Sequence, residues 1–203
     1  NLSRGTNFTS AWEGCTDASF TSFPAVTFST TASDDINFTE TWKSCSQLTS
    51  FPALNLSRGT NFYQTWKNCT SLVTWNTCTF SSDSGDSISF AHAWHTCTAL
   101  TSFPSDVDMS RANSCDATWH NTRIVSFPAL DLSLSTNFGW GFSSNPSMVS
   151  FGACNMNLGR TFTYAWQSNT AMTTFPAGVF DDWAPTSVTA NCFLGTWDGC
   201  TAL

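Results

Sequence analysis

Apolar positions recur along this chain in a fixed order. An aromatic is followed by three residues, a Trp, two residues and a Cys, and then by a short run ending in Phe-Pro. Phe8/Trp12/Cys15, Phe38/Trp42/Cys45, Phe62/Trp66/Cys69, Phe90/Trp94/Cys97 and Phe193/Trp197/Cys200 are complete copies. Three copies drift: Cys115/Trp119 ends on Thr122, Phe138/Phe142 on Asn145 and Phe162/Trp166 on Asn169. Successive Trp positions lie 30, 24, 28, 25, 23, 24 and 31 residues apart. The basic unit is therefore about 24 residues, with inserts such as 29–35 and 81–87. Offsets 0, 4 and 7 place the aromatic, the Trp and the Cys on one side of a short helix, with Thr60-Asn61 offering its N-cap before Phe62. The run Leu48-Thr49-Ser50-Phe51-Pro52 and its copies predict an extended segment, because Pro forbids helix continuation. A polar loop follows, as in 55–59, whose Gly59 suits a tight turn.

Neither element buries its apolar side alone, and stacking copies on one another solves this. The pattern predicts a leucine-rich-repeat-like α/β solenoid of about eight coils, each a short parallel strand plus a short helix. It runs the whole length, so residues 1–203 read as a single repeat solenoid and as a segment of a longer chain. Composition sharpens the picture. Charged residues are only 10%, against 18 Phe and 10 Trp, where globular domains carry roughly 25% charged residues. Ser, Thr and Asn fill the polar positions, as in secreted, cell-surface and virion proteins. A net charge of −7 argues against nucleic acid, whose phosphates need a basic face, and against an anionic membrane surface. No apolar run approaches the roughly 20 residues of a spanning helix.

Phe-x-x-x-Trp-x-x-Cys followed by Cys-x-x-Leu-Thr-Ser-Phe-Pro resembles the BspA-like leucine-rich repeats, and the likeness extends over every copy in the chain. The resemblance implies a non-enzymatic protein of the cell surface or virion, adhesin-like or structural.

Candidate chemistry is sparse. Nine Cys fall mostly at one repeat position, and Cys78 and Cys154 share a second. A ladder of reduced thiols used as small apolar filler fits this best, since Thr122, Asn145 and Asn169 replace Cys without any paired loss. His92, His95 and His120 are the only histidines; His95 and His120 follow the repeat Trp in successive coils, where a metal-binding or pH-sensitive pair is conceivable. The acidic clusters Asp34-Asp35, Asp83 with Asp86, and Asp181-Asp182 lie in the long loops, where Ca2+ is a candidate. Asn-x-Ser/Thr sequons begin at Asn1, Asn7, Asn37, Asn55 and Asn68 and are glycosylation candidates, although Asn7 and Asn37 also suit helix caps. No nucleophilic triad, phosphate loop or zinc motif is present, so the expectation is a protein without catalytic activity.

On the predicted strand face, Ser or Thr recurs monotonously at positions such as Ser50, with Pro in the next outward slot. Ice binding is disfavoured there, because Thr49 and Ser50 are adjacent and point opposite ways in a strand. The helix face varies more, with Glu40, Gln64, His92, Trp140 and Tyr164 at one position. Trp140 and Tyr164 are candidates for stacking on sugar rings, and His92, His95 and His120 share that face. The expected partners are a cell-surface protein or glycan, with no nucleic acid and no membrane insertion. The alternative expectation is a self-assembling subunit of an extracellular filament, stacked end to end.

Overall fold

Hydrogen bonding in this molecule runs chiefly from coil to coil. The computed structural model describes residues 2–203. Its strands are short: β1 (Ile36–Asn37), β2 (Ser50–Phe51), β3 (Gly59–Asn61), β4 (Thr74–Trp75), β5 (Ile88–Ser89), β6 (Ala112–Ser114), β7 (Ser126–Phe127) and β8 (Ser150–Phe151). All pairings are parallel, in a four-stranded sheet β1-β3-β5-β6 and two-stranded sheets β2-β4 and β7-β8. Partners lie one repeat apart, as in Ser50↔Thr74 and Ser126↔Ser150. Isolated bridges such as Ser22↔Ser50, Asn137↔Thr161 and Ser150↔Thr174 carry the register further. Thus β2, β4, β7 and β8 occupy the Ser-Phe step of the extended run. The other four strands precede the residue that opens each copy.

The expected helix is absent: no α-helix forms among the described residues, and the α/β reading is corrected to a stack of turns and short parallel strands. From Phe8 to Cys15, alternate N–H groups take different partners. Those of Ala11, Glu13 and Cys15 bond back three residues, to the carbonyls of Phe8, Ser10 and Trp12. Those of Phe8, Ser10, Trp12 and Gly14 donate to Asn37, Thr39, Thr41 and Lys43 of the next coil. The same alternation recurs in full from Phe38, Phe62 and Phe90. From Cys115, Phe138 and Phe162 it recurs without the last backward bond, and the Thr122 and Asn145 N–H groups donate instead to the Oδ1 of Asn145 and Asn169. The segment is a chain of overlapping turns. Those centred on Thr9-Ser10 and Glu13-Gly14 have positive φ at the second central residue, +53° and +69°, as a type II turn requires. A helix of eight residues is marginal alone and would turn all its bonds inward. The turn chain leaves every second N–H free to bind the next coil. Both geometries bring offsets 0 and 4 together, which is why the spacing predicted a helix. The proposed N-cap is corrected with it: Thr60 and Asn61 lie in β3, and the Asn61 Oδ1 accepts the Tyr63 N–H.

Three columns of rings fill the interior. Trp12, Trp42, Trp66, Trp94, Trp119, Phe142, Trp166 and Trp197 stack with centroids 5.1–5.9 Å apart and planes within 5–11° of parallel. Phe8, Phe38, Phe62 and Phe90 form a second column, which breaks at Cys115 and resumes with Phe138, Phe162 and Phe193. Phe51, Trp75, Phe103, Phe127 and Phe151 of the extended run meet the first column edge to face at 4.8–5.5 Å, a favoured aromatic geometry. The indole N–H groups of Trp42, Trp66, Trp94, Trp119, Trp166 and Trp197 have no hydrogen-bond partner. The column is therefore held by ring packing and by the backbone around it.

The thiol ladder is more than filler. The Sγ of Cys45, Cys69, Cys97 and Cys200 donates to the carbonyl of Trp12, Trp42, Trp66 and Trp166 of the preceding coil, at 3.0–3.1 Å. Asn145 and Asn169 replace Cys and keep the job: their amides donate to the carbonyls of Trp119 and Phe142 at 3.0 Å. Thr122 departs from it: its hydroxyl donates to the Asn145 Oδ1 of the next coil at 2.5 Å and lies 3.3 Å from the Trp119 carbonyl of its own. All nine cysteines are free. Burial pushes the Cys78, Cys97, Cys115 and Cys154 thiols up to about 12.

The inserts also differ from expectation. Arg58 and Arg111 reach back into the loops of the preceding insert. Arg58 binds the carbonyls of Ala32 and Asp34, and Arg111 those of Ser84 and Asp86. Asp34 and Asp86 accept hydrogen bonds from Ser29 and Ser81. A guanidinium therefore orders the acidic loops of the 29–35 and 81–87 inserts. Among the described residues, no group of three or more His, Cys, Asp or Glu side chains is arranged to hold a metal ion. Gly59 is not at a left-handed turn position. It begins β3, and a Cβ there would lie 2.2 Å from the Phe62 ring, so its role is room for that ring.

Candidate functional site

The turn chain decides what faces outward. Its positive-φ positions lie two and six residues after the residue that opens each copy. They hold Glu40, Gln64, His92, Ala117, Trp140 and Tyr164 in the first case and Ser44, Asn68, Thr96, Asn121, Ser144 and Ser168 in the second. Glu40, Gln64, His92, Trp140 and Tyr164 are the varied positions that the sequence assigned to a helix face; they lie on the turn face instead. His92, Trp140 and Tyr164 have φ of 58°, 57° and 56°, which is uncommon for bulky residues.

These turns assemble a continuous ribbon of rings. Tyr63 meets His92 at 5.8 Å, His92 meets His95 at 5.3 Å, and His95 meets His120 at 4.7 Å. His120 meets Trp140 edge to face at 6.1 Å, and Trp140 meets Tyr164 at 4.4 Å. All five candidate binding residues thus fall on one line, joined by Tyr63, which the sequence reading passed over because it sits one position from the varied one. Trp140 is 40% and Tyr63 37% exposed. Tyr164 is half-buried over Gly195, where a Cβ would come within 2.3 Å of its ring. His92, His95, Asp116, Ala117, His120 and Trp140 line an open cavity of about 210 Å³.

Polar contacts fix the imidazoles. The Ser143 hydroxyl donates to the Trp140 carbonyl and lies 2.7 Å from His120 Nδ1. With its proton committed, that hydroxyl accepts from Nδ1–H, so Nε2 of neutral His120 carries the lone pair. His95 Nδ1 lies 2.8 Å from the Thr96 hydroxyl. His92 Nε2 is 3.5 Å from Asp116 Oδ2, and its Nδ1 is buried without a partner. Desolvation, then the neighbouring charges of His120, Lys67 and His92, lowers His95 to about 4. Desolvation, then His92 and Lys67, lowers His120. Both rings therefore favour the neutral form.

The sequons divide. Asn1 lies outside the described residues. Asn7 and Asn37 do not cap helices; their Oδ1 atoms accept the N–H and hydroxyl of Thr9 and Thr39 in Asx turns. Asn68 is a half-buried positive-φ residue of the turn chain, next to buried Cys69. Asn55 is exposed and accepts only from the Ser57 N–H.

The strand face differs from a simple alternation. Val73 with Thr74, Thr101 with Ser102, Val125 with Ser126, and Thr173 with Thr174 are each exposed as adjacent pairs. The opposed directions expected of Thr49 and Ser50 do not hold in these coils, because the strands are only two residues long.

No protein-family model matches this chain, no curated protein resembles it and no solved structure matches it. Nothing in these comparisons identifies a BspA-like family.

Proposed function

We propose that this chain is a non-catalytic recognition repeat of an extracellular or virion surface, and that the ribbon from Tyr63 to Tyr164 contacts a glycan. One observation carries the reading. Six rings form an unbroken line on a protein whose other exposed positions are largely Ser, Thr, Asn and Ala. Sugar rings present an apolar face that stacks on an aromatic ring, and their hydroxyls find imidazole nitrogens and the Asp116 carboxylate nearby. An open line of rings suits an extended chain of sugars better than a small molecule, which requires enclosure. Six of the nine free thiols are buried, and the four pushed to about 12 carry almost no reactive thiolate, so these four tolerate an oxidising exterior.

The test is binding of the chain to an oligosaccharide array, followed by calorimetry on the best ligand. Trp140→Ala is expected to weaken it about tenfold, the ~1–2 kcal/mol of a buried aromatic anchor. Ala117 already occupies the equivalent position at φ 46°, so this variant is expected to fold. Undiminished affinity in a Trp140→Ala, Tyr164→Ala double variant, or no glycan bound at all, refutes the reading.

A further inference from the structure

The position after each repeat Trp forms a row along the ribbon: Glu13, Lys43, Lys67, His95, His120, Ser143, Gln167 and Asp198. Its charges are unevenly committed. Lys43 is held between Glu13 at 3.0 Å and Glu40 at 2.7 Å. Arg58 and Arg111 are spent on the inserts, and Arg160 on the Thr186 hydroxyl. Lys67 has no ion pair among the described residues. It precedes His95 and His120, so three basic groups occupy consecutive coils on a chain of net charge −7. The groups facing the imidazole pair are Lys67 and Tyr63 from one coil, His92 from the next, and Asp116 from the third. Beyond them lie Trp140 and Ser143, which bear no charge, and Tyr164. Asp116, the one carboxylate lining the cavity, lies beside His92.

We infer that the open cavity lined by His92, His95, His120 and Trp140 takes an acidic sugar, one bearing a carboxylate or sulfate, and that binding is coupled to uptake of a proton by the His95–His120 pair. This rests on the glycan-binding reading above and adds the ligand's charge. In the free protein, each imidazole resists protonation first because water is partly excluded, and then because of like charge, from His120, Lys67 and His92 at His95 and from His92 and Lys67 at His120. An oxyanion seated on the row reverses that balance, since it stabilises an imidazolium and the Lys67 ammonium together. His120 is oriented for this: Nδ1–H is held by Ser143, so the incoming proton goes to Nε2, which becomes a donor to the oxyanion. Two adjacent imidazoliums 4.7 Å apart repel each other, so one proton is taken up rather than two.

The experiment is calorimetric titration of the whole chain between pH 7.5 and 5.0 with an oligogalacturonate and a chondroitin sulfate oligosaccharide. A chito-oligosaccharide serves as the neutral control, and near-ultraviolet circular dichroism verifies the fold at each pH. Acidic sugars are expected to bind about tenfold more tightly per pH unit lowered across part of this range, the slope of one proton taken up. The neutral sugar is expected to bind with no such slope. His120→Gln is expected to flatten the slope. Lys67→Gln is expected to weaken acidic sugars at every pH while the slope persists. Acidic sugars bound without a pH slope, or bound no better than the neutral one at pH 5.0, overturn the inference and leave the aromatic reading standing. Failure of all three sugars at every pH overturns both.

Discussion

At the scale of single residues, the turn face is built from conformations most side chains avoid. Among the described residues, fourteen non-glycine residues have positive φ, and all but Asn191 fall at two repeat positions. Each costs on the order of 1 kcal/mol relative to an unstrained backbone. The second of the two positions holds Gly14 and Gly199 in the end copies and Ser44 in the second. Ser44→Gly is therefore expected to raise stability by about 0.5 kcal/mol, because relief of strain exceeds the added entropy of the unfolded chain. Thermal unfolding measures it, and a lower Tm than the parent contradicts the strain account. Proton linkage also acts at single residues. His95 is lowered to about 4 and His120 is lowered too, so the unfolded chain binds protons that the folded chain refuses. Stability is then fully present above about pH 6.5 and is lost as pH falls from there toward about 4. The loss is on the order of 1–2 kcal/mol once solvent screening of these part-exposed rings is allowed for. Urea unfolding at pH 7.5 and 4.5 reads it, with His95→Gln and His120→Gln together removing the difference.

At the scale of elements, the turn chain shows how much the sequence disclosed. The repeat, its period, the stacked rings and the Ser-Phe strand step were all legible, because each follows from which residues must be buried and where Pro sits. The helix was a wrong inference from a correct periodicity. Offsets 0, 4 and 7 were satisfied, but the same offsets suit a chain of turns once each coil has a neighbour to bond. One signal was available: the position just before the Cys reads Gly14, Ser44, Asn68, Thr96, Asn121, Ser144, Ser168 and Gly199. Gly and Asn there mark a left-handed backbone, not a helix interior. Cys replacement by Thr122, Asn145 and Asn169 was visible as well, and three hydrogen-bond donors at one position speak of a bond more than of volume. The ribbon's members were legible as varied positions, but their continuity was not. It depends on Tyr63, on imidazoles from two repeat positions meeting within one coil, and on His95 meeting His120 across a coil boundary. Cys97 tests the element's bonding. Cys97→Asn, as at positions 145 and 169, is expected to cost less than Cys97→Ala, which leaves the Trp66 carbonyl without its thiol donor, at roughly 1 kcal/mol. Equal destabilisation of the two variants in urea rules out a role for the donor.

At the scale of the whole molecule, each coil is bound chiefly to its neighbours, as in other repeat arrays. The turn face has one further property. From Phe8 to Phe162, each opening residue donates its N–H to the following coil, and the residues two, four and six places on do the same. Elsewhere on the stack the direction alternates: Thr49 donates to Thr21 behind it, whereas Leu56 donates to Thr79 ahead. Peptide dipoles on the turn face therefore add along the stack, as they do along an α-helix, with the N–H pole toward Phe193 and the carbonyl pole toward Asn7. This gives the face a polarity that side chains do not supply. Any coil laid against either pole, from this chain or another molecule, meets a row of like groups that accepts it in one orientation and rejects the reverse. A stack built on this face grows with a head and a tail.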